Sequence, residues 1–258
     1  MNFSPLDLFR LDGRAAIVTG GSRGLGKAMA AALAGAGANV VIVSRHQSEA
    51  DDASRKIAEG TGQDCVGIEA DVALPDSASH IVSKTLAKFG RVDILVNNAG
   101  INRRGKIENV TPDDMRAVWE TNVLGPWALC RAVGESMKHQ HWGRIINIGS
   151  LMSVVGVAER STYASSKGAI ASLTRSLALE WAADGITVNT IGPGPFLTEF
   201  SEVVTKNPEQ YQWWASRVPL GDWGKPDQLA GAVIFLASEA SSFVTGITLM
   251  VDGGWTAQ

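Results

Sequence analysis

Cysteine and histidine are scarce in this sequence, and their scarcity excludes several kinds of site. The chain has two cysteines, Cys65 and Cys130, and no metal-like spacing joins them. A disulfide framework or a zinc site is therefore not expected, and both cysteines are predicted to be buried free thiols. Of the four histidines, His139 and His141 stand close together without the neighbours that a metal site needs. We interpret them as the exposed end of a helix and predict no metal.

A long apolar run and an excess of charge of either sign are also missing. Lys and Arg total 23 against 26 Asp and Glu, so the net charge is -3 and there is no general attraction to nucleic acid. No stretch approaches a membrane span, and Asp7 and Arg10 interrupt the N-terminal apolar stretch, which excludes a signal peptide. We expect a cytoplasmic protein whose partner is a small molecule.

Short apolar stretches alternate with helical patterns along the chain. Seven of these stretches have the continuous hydrophobicity of strands that are buried on both faces of a parallel sheet. The alternation predicts an α/β fold with one doubly wound domain over residues 1–258, in which helices cover both faces of a seven-stranded parallel sheet. Residues from about 195 to 223 carry no strand signal but include Trp213 and Trp214. They are predicted to form a helical lid over a pocket.

A glycine-rich turn joins the first predicted strand to the first predicted helix. Thr19 to Gly26 reads T-G-G-S-R-G-L-G, in the order of strand, turn and helix that binds a pyrophosphate. Glycines let backbone amides approach the phosphates, and the helix N-terminus adds partial positive charge. The spacing differs from the common G-x-G-x-x-G fingerprint, so the turn alone is equally compatible with a plain tight connection.

The second predicted strand ends at Ser44 and Arg45, about where a dinucleotide-binding fold contacts the adenosine ribose. No carboxylate stands there for the ribose hydroxyls. Instead, the guanidinium of Arg45 suits a 2′-phosphate, and Arg23 of the glycine-rich turn is placed to reach the same group. The sequence therefore predicts a preference for NADP(H) over NAD(H); the alternative is that Arg45 begins a solvated loop.

Tyr163 and Lys167 stand four residues apart in the stretch S-T-Y-A-S-S-K-G, which has a helical pattern. In a helix both side chains leave the same face, and an ammonium beside a phenol lowers the pKa of the phenol. The tyrosine is then a candidate for proton transfer at neutral pH. Such pairs also occur by chance on helix surfaces, so the assignment depends on the rest of the chain.

Other signals lie at strand ends and in one irregular helix. N-N-A-G follows the fourth predicted strand at Asn97 to Gly100, and Ser150 follows the fifth. Open α/β sheets bind their ligands at such carboxyl ends. A predicted helix from Thr111 to about His139 contains Gly125-Pro126, and the proline is expected to disturb the hydrogen bonding near Asn122.

In this order, the motifs resemble the short-chain dehydrogenase/reductase family along nearly the whole chain. They are T-G-x-x-x-G-x-G at Thr19, N-N-A-G at Asn97, Ser150, Y-x-x-x-K at Tyr163 and P-G at Pro193. The resemblance implies a Rossmann-type fold and an NAD(P)-dependent enzyme that interconverts a secondary alcohol and a ketone.

The resemblance also implies a catalytic tetrad. Tyr163 would be the general acid/base and would contact the substrate oxygen together with Ser150. Lys167 would lower the pKa of Tyr163 and hold the nicotinamide ribose. Asn122 would fix a proton path from Lys167 to solvent through the helix irregularity and a water molecule.

The cofactor contacts implied by the resemblance run from the glycine-rich turn to the P-G motif. They are Gly20, Ser22, Arg23, Gly24, Leu25 and Gly26 at the phosphates, Ser44 and Arg45 at the adenosine ribose, Asp71 and Val72 at the adenine, Asn98, Ala99, Gly100, Tyr163 and Lys167 along the nicotinamide ribose, and Pro193, Phe196 and Thr198 at the carboxamide. Members of the family usually have Ile or Val where this sequence has Phe196. Because the contact there is mainly through the backbone, we expect little loss.

The stretches I-N-R-R-G-K, I-G-P-G-P-F-L-T-E and G-D-W-G-K-P-D-Q-L resemble the sugar-acid dehydrogenases around gluconate 5-dehydrogenase. A guanidinium of Arg103 or Arg104 at the pocket mouth would bind a substrate carboxylate through two hydrogen bonds, and Arg104 is the residue assigned to the substrate. The alternative is that the two arginines lie on a solvated loop. Two other functions stay open, a 3-oxoacyl-thioester reductase and a non-catalytic NADP(H)-sensing protein.

The C-terminal run I-T-L-M-V-D-G-G-W is predicted to form an edge strand that ends in exposed apolar residues, including Trp255. Such an exposed edge usually packs against another protein chain. The family resemblance implies a homotetramer.

Overall fold

The computed structural model describes residues 4–257, so residues 1–3 and Gln258 of the predicted domain lie outside the described residues. One parallel sheet contains the strands β1 Ala15–Thr19, β2 Asn39–Ser44, β3 Cys65–Glu69, β4 Ile94–Asn97, β5 Gly143–Ile148, β6 Ile186–Pro193 and β7 Thr248–Val251. Their spatial order is β3-β2-β1-β4-β5-β6-β7. The predicted seven-stranded parallel sheet is confirmed.

Helices connect the strands. They are α1 Gly24–Gly35, α2 Gln47–Thr61, α3 Ser77–Phe89, α4 Pro112–Trp119, α5 Gly125–Gln140, α6 Ser161–Trp181, α7 Glu202–Thr205, α8 Pro208–Ala215 and α9 Ala230–Ala237. Within residues 4–257, no helix combines the length and the apolarity that crossing a membrane requires.

Side chains alternate across the sheet, so each face has its own apolar layer. From β1, Ala16 and Val18 pack with residues of α1, α2 and α9, whereas Ile17 packs with residues of α3, α5 and α6. All five residues of β1 are buried. Burial on both faces is the reason that the strands are continuously apolar and do not alternate in polarity.

The strand order reverses between β1 and β4, and the glycine-rich turn and N-N-A-G follow these two strands. Thr19 joins the two loops, because its hydroxyl accepts hydrogen bonds from the backbone N–H groups of Asn98 (3.0 Å) and Ala99 (3.1 Å). The side-chain amide of Asn98 donates in return to the carbonyl oxygens of Thr19 (2.9 Å) and Gly20 (3.1 Å). A crevice at such a reversal is the usual ligand site of a doubly wound sheet.

Two predictions about single side chains need correction. Cys130 is buried, and burial raises its pKa to about 12, but Cys65 is only half-buried because β3 is an edge strand. Trp255 is not exposed: the chain turns back after β7, and its ring centroid lies 5.9 Å from that of Trp214. The edge position of β7 is confirmed, and His139 and His141 are exposed at the end of α5.

Candidate active site

A cavity of about 1040 Å³ opens at the carboxyl ends of the strands. Its lining contains every residue that was predicted to contact the cofactor: Gly20, Ser22, Arg23, Gly24, Leu25, Gly26, Ser44, Arg45, Asp71, Val72, Asn98, Ala99, Gly100, Tyr163, Lys167, Pro193, Phe196 and Thr198. Ser150 and Arg104 line the same cavity, whereas Asn122 lies behind its wall. The fold thus brings the predicted site residues to one place.

The glycine-rich turn brings its backbone close to the start of α1. A Cβ at position 26 would lie 2.2 Å from the carbonyl oxygen of Gly20, so the turn closes only with glycine there. Gly20 and Gly24 have positive φ angles of 61° and 51°. Within the described residues, no side chain caps the start of α1 and no acidic residue lies in its first turn. Its N–H groups therefore suit a pyrophosphate.

The end of β2 differs from the sequence-based expectation. Arg23 and Arg45 are exposed there, and within residues 4–257 neither forms an ion pair with a carboxylate. The prediction that no carboxylate stands at this position is wrong, because Glu49 reaches it from the first turn of α2. Its Oε2 accepts hydrogen bonds from the hydroxyls of Ser44 (3.1 Å) and Ser22 (3.4 Å). The signal for it was an acidic residue in the first turn after the strand.

Tyr163 and Lys167 leave the same face of α6, as the spacing predicts. The Nζ of Lys167 lies 5.5 Å from the ring centroid of Tyr163 and donates a 2.7 Å hydrogen bond to the carbonyl oxygen of Ile148. Ser150 follows β5 and its hydroxyl accepts a hydrogen bond from the backbone N–H of Met152 at 3.1 Å. The three predicted catalytic side chains therefore meet at the cavity.

The expected lowering of the tyrosine pKa is not found. Burial raises the pKa of Tyr163 to about 12, although the Ser150 hydroxyl and the charge of Arg104 act in the opposite direction. Burial also lowers the pKa of Lys167, to about 8. Helix spacing correctly placed the two groups together, but desolvation has the largest effect on the pKa of each.

Asn122 lies in the π-helical turn Glu120–Leu124 between α4 and α5, which agrees with the disturbance expected near Pro126. Its Oδ1 accepts from the backbone N–H of Ile101, and its Nδ2 donates to the carbonyl oxygen of the same residue, both at 2.9 Å. A second bond of Nδ2, 3.1 Å long, reaches the Ser166 hydroxyl on α6. Asn122 thus joins the loop after β4 to the helix of Tyr163, and its proton-path role stays a prediction.

The two predicted arginines separate in the structure. Arg103 forms a 3.1 Å ion pair with Asp114, so its guanidinium is engaged. Arg104 is partly buried in the cavity wall, and within residues 4–257 no carboxylate pairs with it. Of the two, only Arg104 is available to a ligand.

Arg160 is a site residue that the sequence analysis missed. It lines the cavity, is partly buried, and donates a 2.9 Å hydrogen bond to the carbonyl oxygen of Glu159. Burial and then the neighbouring charge of Arg104 lower its pKa. The loops that carry Arg104 and Arg160 are joined, because the N–H of Gly105 donates to the Glu159 carbonyl oxygen at 3.1 Å. An arginine immediately before the Tyr163 helix was the available signal.

Glu159 itself has an unusual backbone conformation, with a φ of 62°. A side chain other than glycine adopts this region at a cost of order 1 kcal/mol. The conformation presents the carbonyl oxygen that binds both Gly105 and Arg160. Local strain is thus associated with the placement of the arginine pair.

Residues 195–223 cover the other side of the cavity. The segment is closed at its base by a bridge between Phe196 and Gly224, where a Cβ on the glycine would overlap the phenylalanine ring. Trp214 is buried and lines the cavity, whereas Trp213 is 41% exposed. The Phe196 ring belongs to the core, which agrees with a contact to the cofactor through its backbone.

The sequence and the fold are similar to those of known dehydrogenases and reductases. A family model described as enoyl-(acyl carrier protein) reductase matches residues 20–256. Gluconate 5-dehydrogenase of Gluconobacter oxydans is 38% identical over 255 residues, which cover 97% of each chain. The chain belongs to the short-chain dehydrogenase/reductase family. This short-chain dehydrogenase/reductase is an NAD(P)-dependent oxidoreductase that acts on CH–OH groups, as the sequence predicts.

Two further relatives of this short-chain dehydrogenase/reductase are informative. The crystal structure of a gluconate 5-dehydrogenase from Burkholderia cenocepacia in complex with NADP and tartrate superposes with a TM-score of 0.95 at 40% identity, covering 99% of this chain and 100% of that one. A 3-oxoacyl-(acyl-carrier-protein) reductase of Vibrio cholerae is 38% identical over 244 residues, or 95% of this chain and 98% of that protein. Identity alone therefore does not separate the two substrate classes.

Burial of Lys167 generates a stability prediction for the Lys167→Met variant. The side chain is 4% exposed and its pKa is lowered from 10.5 to about 8, so at pH 7 the native state carries a desolvated ammonium. We expect the variant to gain about 2 kcal/mol of unfolding free energy at pH 7 in urea titrations. Loss of the Ile148 contact keeps the gain below the full value of the pKa shift.

The pH dependence distinguishes this explanation from better packing. Between pH 8 and 10.5 the unfolded wild type binds more protons than the native state, so its stability rises with pH and the advantage of the variant shrinks. The exposed Lys84→Met is the matched control, with no effect expected at either pH. A Lys167→Met advantage that is the same at pH 7 and pH 10 would contradict the prediction.

Proposed function

We propose that this enzyme interconverts a hydroxy and a keto sugar acid, such as gluconate and 5-ketogluconate, with NADP(H) as cofactor. The observation that carries the proposal is the pair of guanidiniums of Arg104 and Arg160 in the cavity wall near Tyr163. A substrate carboxylate fits such a pair through short, charge-assisted hydrogen bonds. The similarity to the gluconate 5-dehydrogenases of Gluconobacter oxydans and Burkholderia cenocepacia supports the same substrate class.

Electrostatics favour an anion at this place. Burial lowers the pKa of Arg104, and burial together with the charge of Arg104 lowers the pKa of Arg160. Two like charges near each other, partly removed from water, are costly unless an opposite charge lies between them. A bound carboxylate offsets that cost, and it would leave the rest of the substrate to extend toward Ser150 and Tyr163.

Tyr163, Ser150 and residues 195–223 have separate roles in the proposed reaction. When bound, the nicotinamide supplies the hydride in reduction and accepts it in oxidation. Tyr163 gives its hydroxyl proton to the substrate oxygen as the ketone becomes an alcohol, and it takes a proton back in the reverse reaction. The hydroxyl of Ser150 orients that oxygen. Residues 195–223 act as the lid that keeps water from this end of the cavity.

The proposed use of NADP(H) rests on Arg23 and Arg45 at the end of β2. Both are exposed on the cavity rim without a carboxylate partner in residues 4–257, so both are free to bind a 2′-phosphate. The relative from Burkholderia cenocepacia is in complex with NADP, which supports the assignment. The absence of side chains at Gly20, Gly24 and Gly26 and the start of α1, uncapped within residues 4–257, support a pyrophosphate site there.

Steady-state oxidation of NADPH, with NADH in parallel, tests the proposed function directly. We expect turnover with 5-ketogluconate and NADPH, and little or none with an acetoacetyl thioester, because only the sugar acid places a carboxylate on the arginine pair. Turnover of the thioester alone would instead establish the 3-oxoacyl reductase, the second candidate, which the Vibrio cholerae relative favours.

Separate Arg104→Gln and Arg160→Gln variants test the proposed contact between the arginine pair and the substrate carboxylate. Each is expected to raise the KM for the keto acid about 10- to 100-fold with a smaller change in kcat, because a charge-assisted contact to the carboxylate is lost. Arg103→Gln is the matched control. Because Arg103 forms an ion pair with Asp114, this variant should leave the KM unchanged. An unaltered KM in both Arg104→Gln and Arg160→Gln would contradict the proposed contact with the carboxylate.

Assembly into a homotetramer is also part of the proposal. Apolar side chains of α5, α6 and the turn before α5 are exposed, among them Leu124 (54%), Trp127 (47%) and Leu179 (83%). Large exposed apolar side chains are typical of interfaces. We expect light scattering to give the mass of four chains at working concentration, and Trp127→Glu to reduce it. Glu209→Gln, an exposed change elsewhere, is the control, and a wild-type mass of one chain would overturn the tetramer.

A further inference from the structure

The cavity rim at the end of β2 holds a carboxylate among the groups assigned to the adenosine ribose. Glu49 Oε2 accepts hydrogen bonds from Ser44 Oγ at 3.1 Å and from Ser22 Oγ at 3.4 Å. The two hydroxyls are themselves 3.3 Å apart, so the three oxygens form one cluster. Any group that binds to these serines comes next to the Glu49 carboxylate.

The charge of Glu49 is not cancelled by its surroundings. In the part of the chain that the structure describes, neither Arg23 nor Arg45 forms an ion pair with it, although all three line the same cavity. Glu49 lies in the first turn of α2 and its side chain is exposed at the cavity rim. The other titratable side chains on this part of the wall are His46 and Asp71.

We propose that Glu49 is a cofactor-specificity residue, which opposes the 2′-phosphate of NADP(H) and accepts hydrogen bonds from the ribose hydroxyls of NAD(H). The inference rests on the proposed cofactor site and modifies its selectivity. Arg23 and Arg45 attract the phosphate, whereas Glu49 repels it and offers the neutral ribose an acceptor. The enzyme therefore binds both cofactors, and its preference for NADP(H) is smaller than the two arginines alone would give.

The test is a comparison of dissociation constants for NADP⁺ and NAD⁺, measured by calorimetric titration on the wild type and on Glu49→Gln. The glutamine keeps an oxygen acceptor for the two serines and removes only the charge. We expect NADP⁺ to bind about five- to tenfold more tightly at low salt, while NAD⁺ binds equally well or more weakly. Raising the salt to 0.5 M should shrink the gain, because a repulsion between exposed charges is screened.

Two other variants fix the interpretation. Glu59→Gln removes the same charge from the same helix, about 15 Å farther along α2, and should leave both dissociation constants unchanged. Arg45→Gln should weaken NADP⁺ and not NAD⁺, which shows that the titration detects the 2′-phosphate. Equal melting temperatures of the wild type and Glu49→Gln check that the fold is intact. Glu49→Ala also removes the charge, and NADP⁺ should again bind more tightly than to the wild type.

The outcomes separate this inference from the proposed function. An unchanged ratio of the two dissociation constants in Glu49→Gln, or an equal change in both, would overturn the role of Glu49. In that case tight NADP⁺ binding by the wild type leaves the proposed cofactor standing. A wild type that binds neither nucleotide would overturn the cofactor site, and Glu49 with it.

Discussion

Close contact between the loops after β1 and β4 is the constraint on which the site depends. The hydroxyl of Thr19 accepts two hydrogen bonds from backbone N–H groups of the loop after β4, and the side-chain amide of Asn98 donates two to backbone carbonyl oxygens of the loop after β1. The contact requires that Gly26 has no side chain, because a Cβ there would lie 2.4 Å from the Asn98 amide. These bonds fix the glycine-rich turn relative to the strand ends, and thereby fix the distance between the predicted phosphate and nicotinamide ends of the cavity.

The substrate half of the cavity is built in another way. Loops hold it together: the Gly105 amide binds the Glu159 carbonyl oxygen, and the Thr162 hydroxyl binds the Arg103 carbonyl oxygen at 3.0 Å. These two contacts place one arginine from each loop beside the start of α6. Because loops tolerate changes that a parallel sheet does not, this half is where relatives with one fold can differ in substrate. The equal identity to gluconate and 3-oxoacyl enzymes is consistent with that division.

Local signals in the sequence were sufficient for the sheet, the turns and the spacing of Tyr163 and Lys167. Each depends on residues that are neighbours along the chain or one helical turn apart. Arg160 and Glu49 escaped prediction because the groups that give them a place in the site include Arg104 and Ser22, which come from other loops and are brought near only by the fold. The pKa of Tyr163 was misjudged for the same reason, since desolvation depends on what covers the hydroxyl and not on its helical neighbours. Trp255 is partly buried because it packs against Trp214, a contact that no local pattern at the C-terminus reveals.

The charges around Tyr163 have one electrostatic effect in common. Lys167, Arg104 and Arg160 all lie at this end of the cavity, and burial lowers the pKa of each. Holding cations there costs stability, as is common where function requires a strained or desolvated group. The same positive potential favours negative charge on a substrate oxygen, the charge that develops when a ketone accepts hydride. In the proposed complex, a carboxylate on Arg104 would offset the charge that favours the Tyr163 phenolate, and this would add to the effect of burial, which already keeps the hydroxyl protonated.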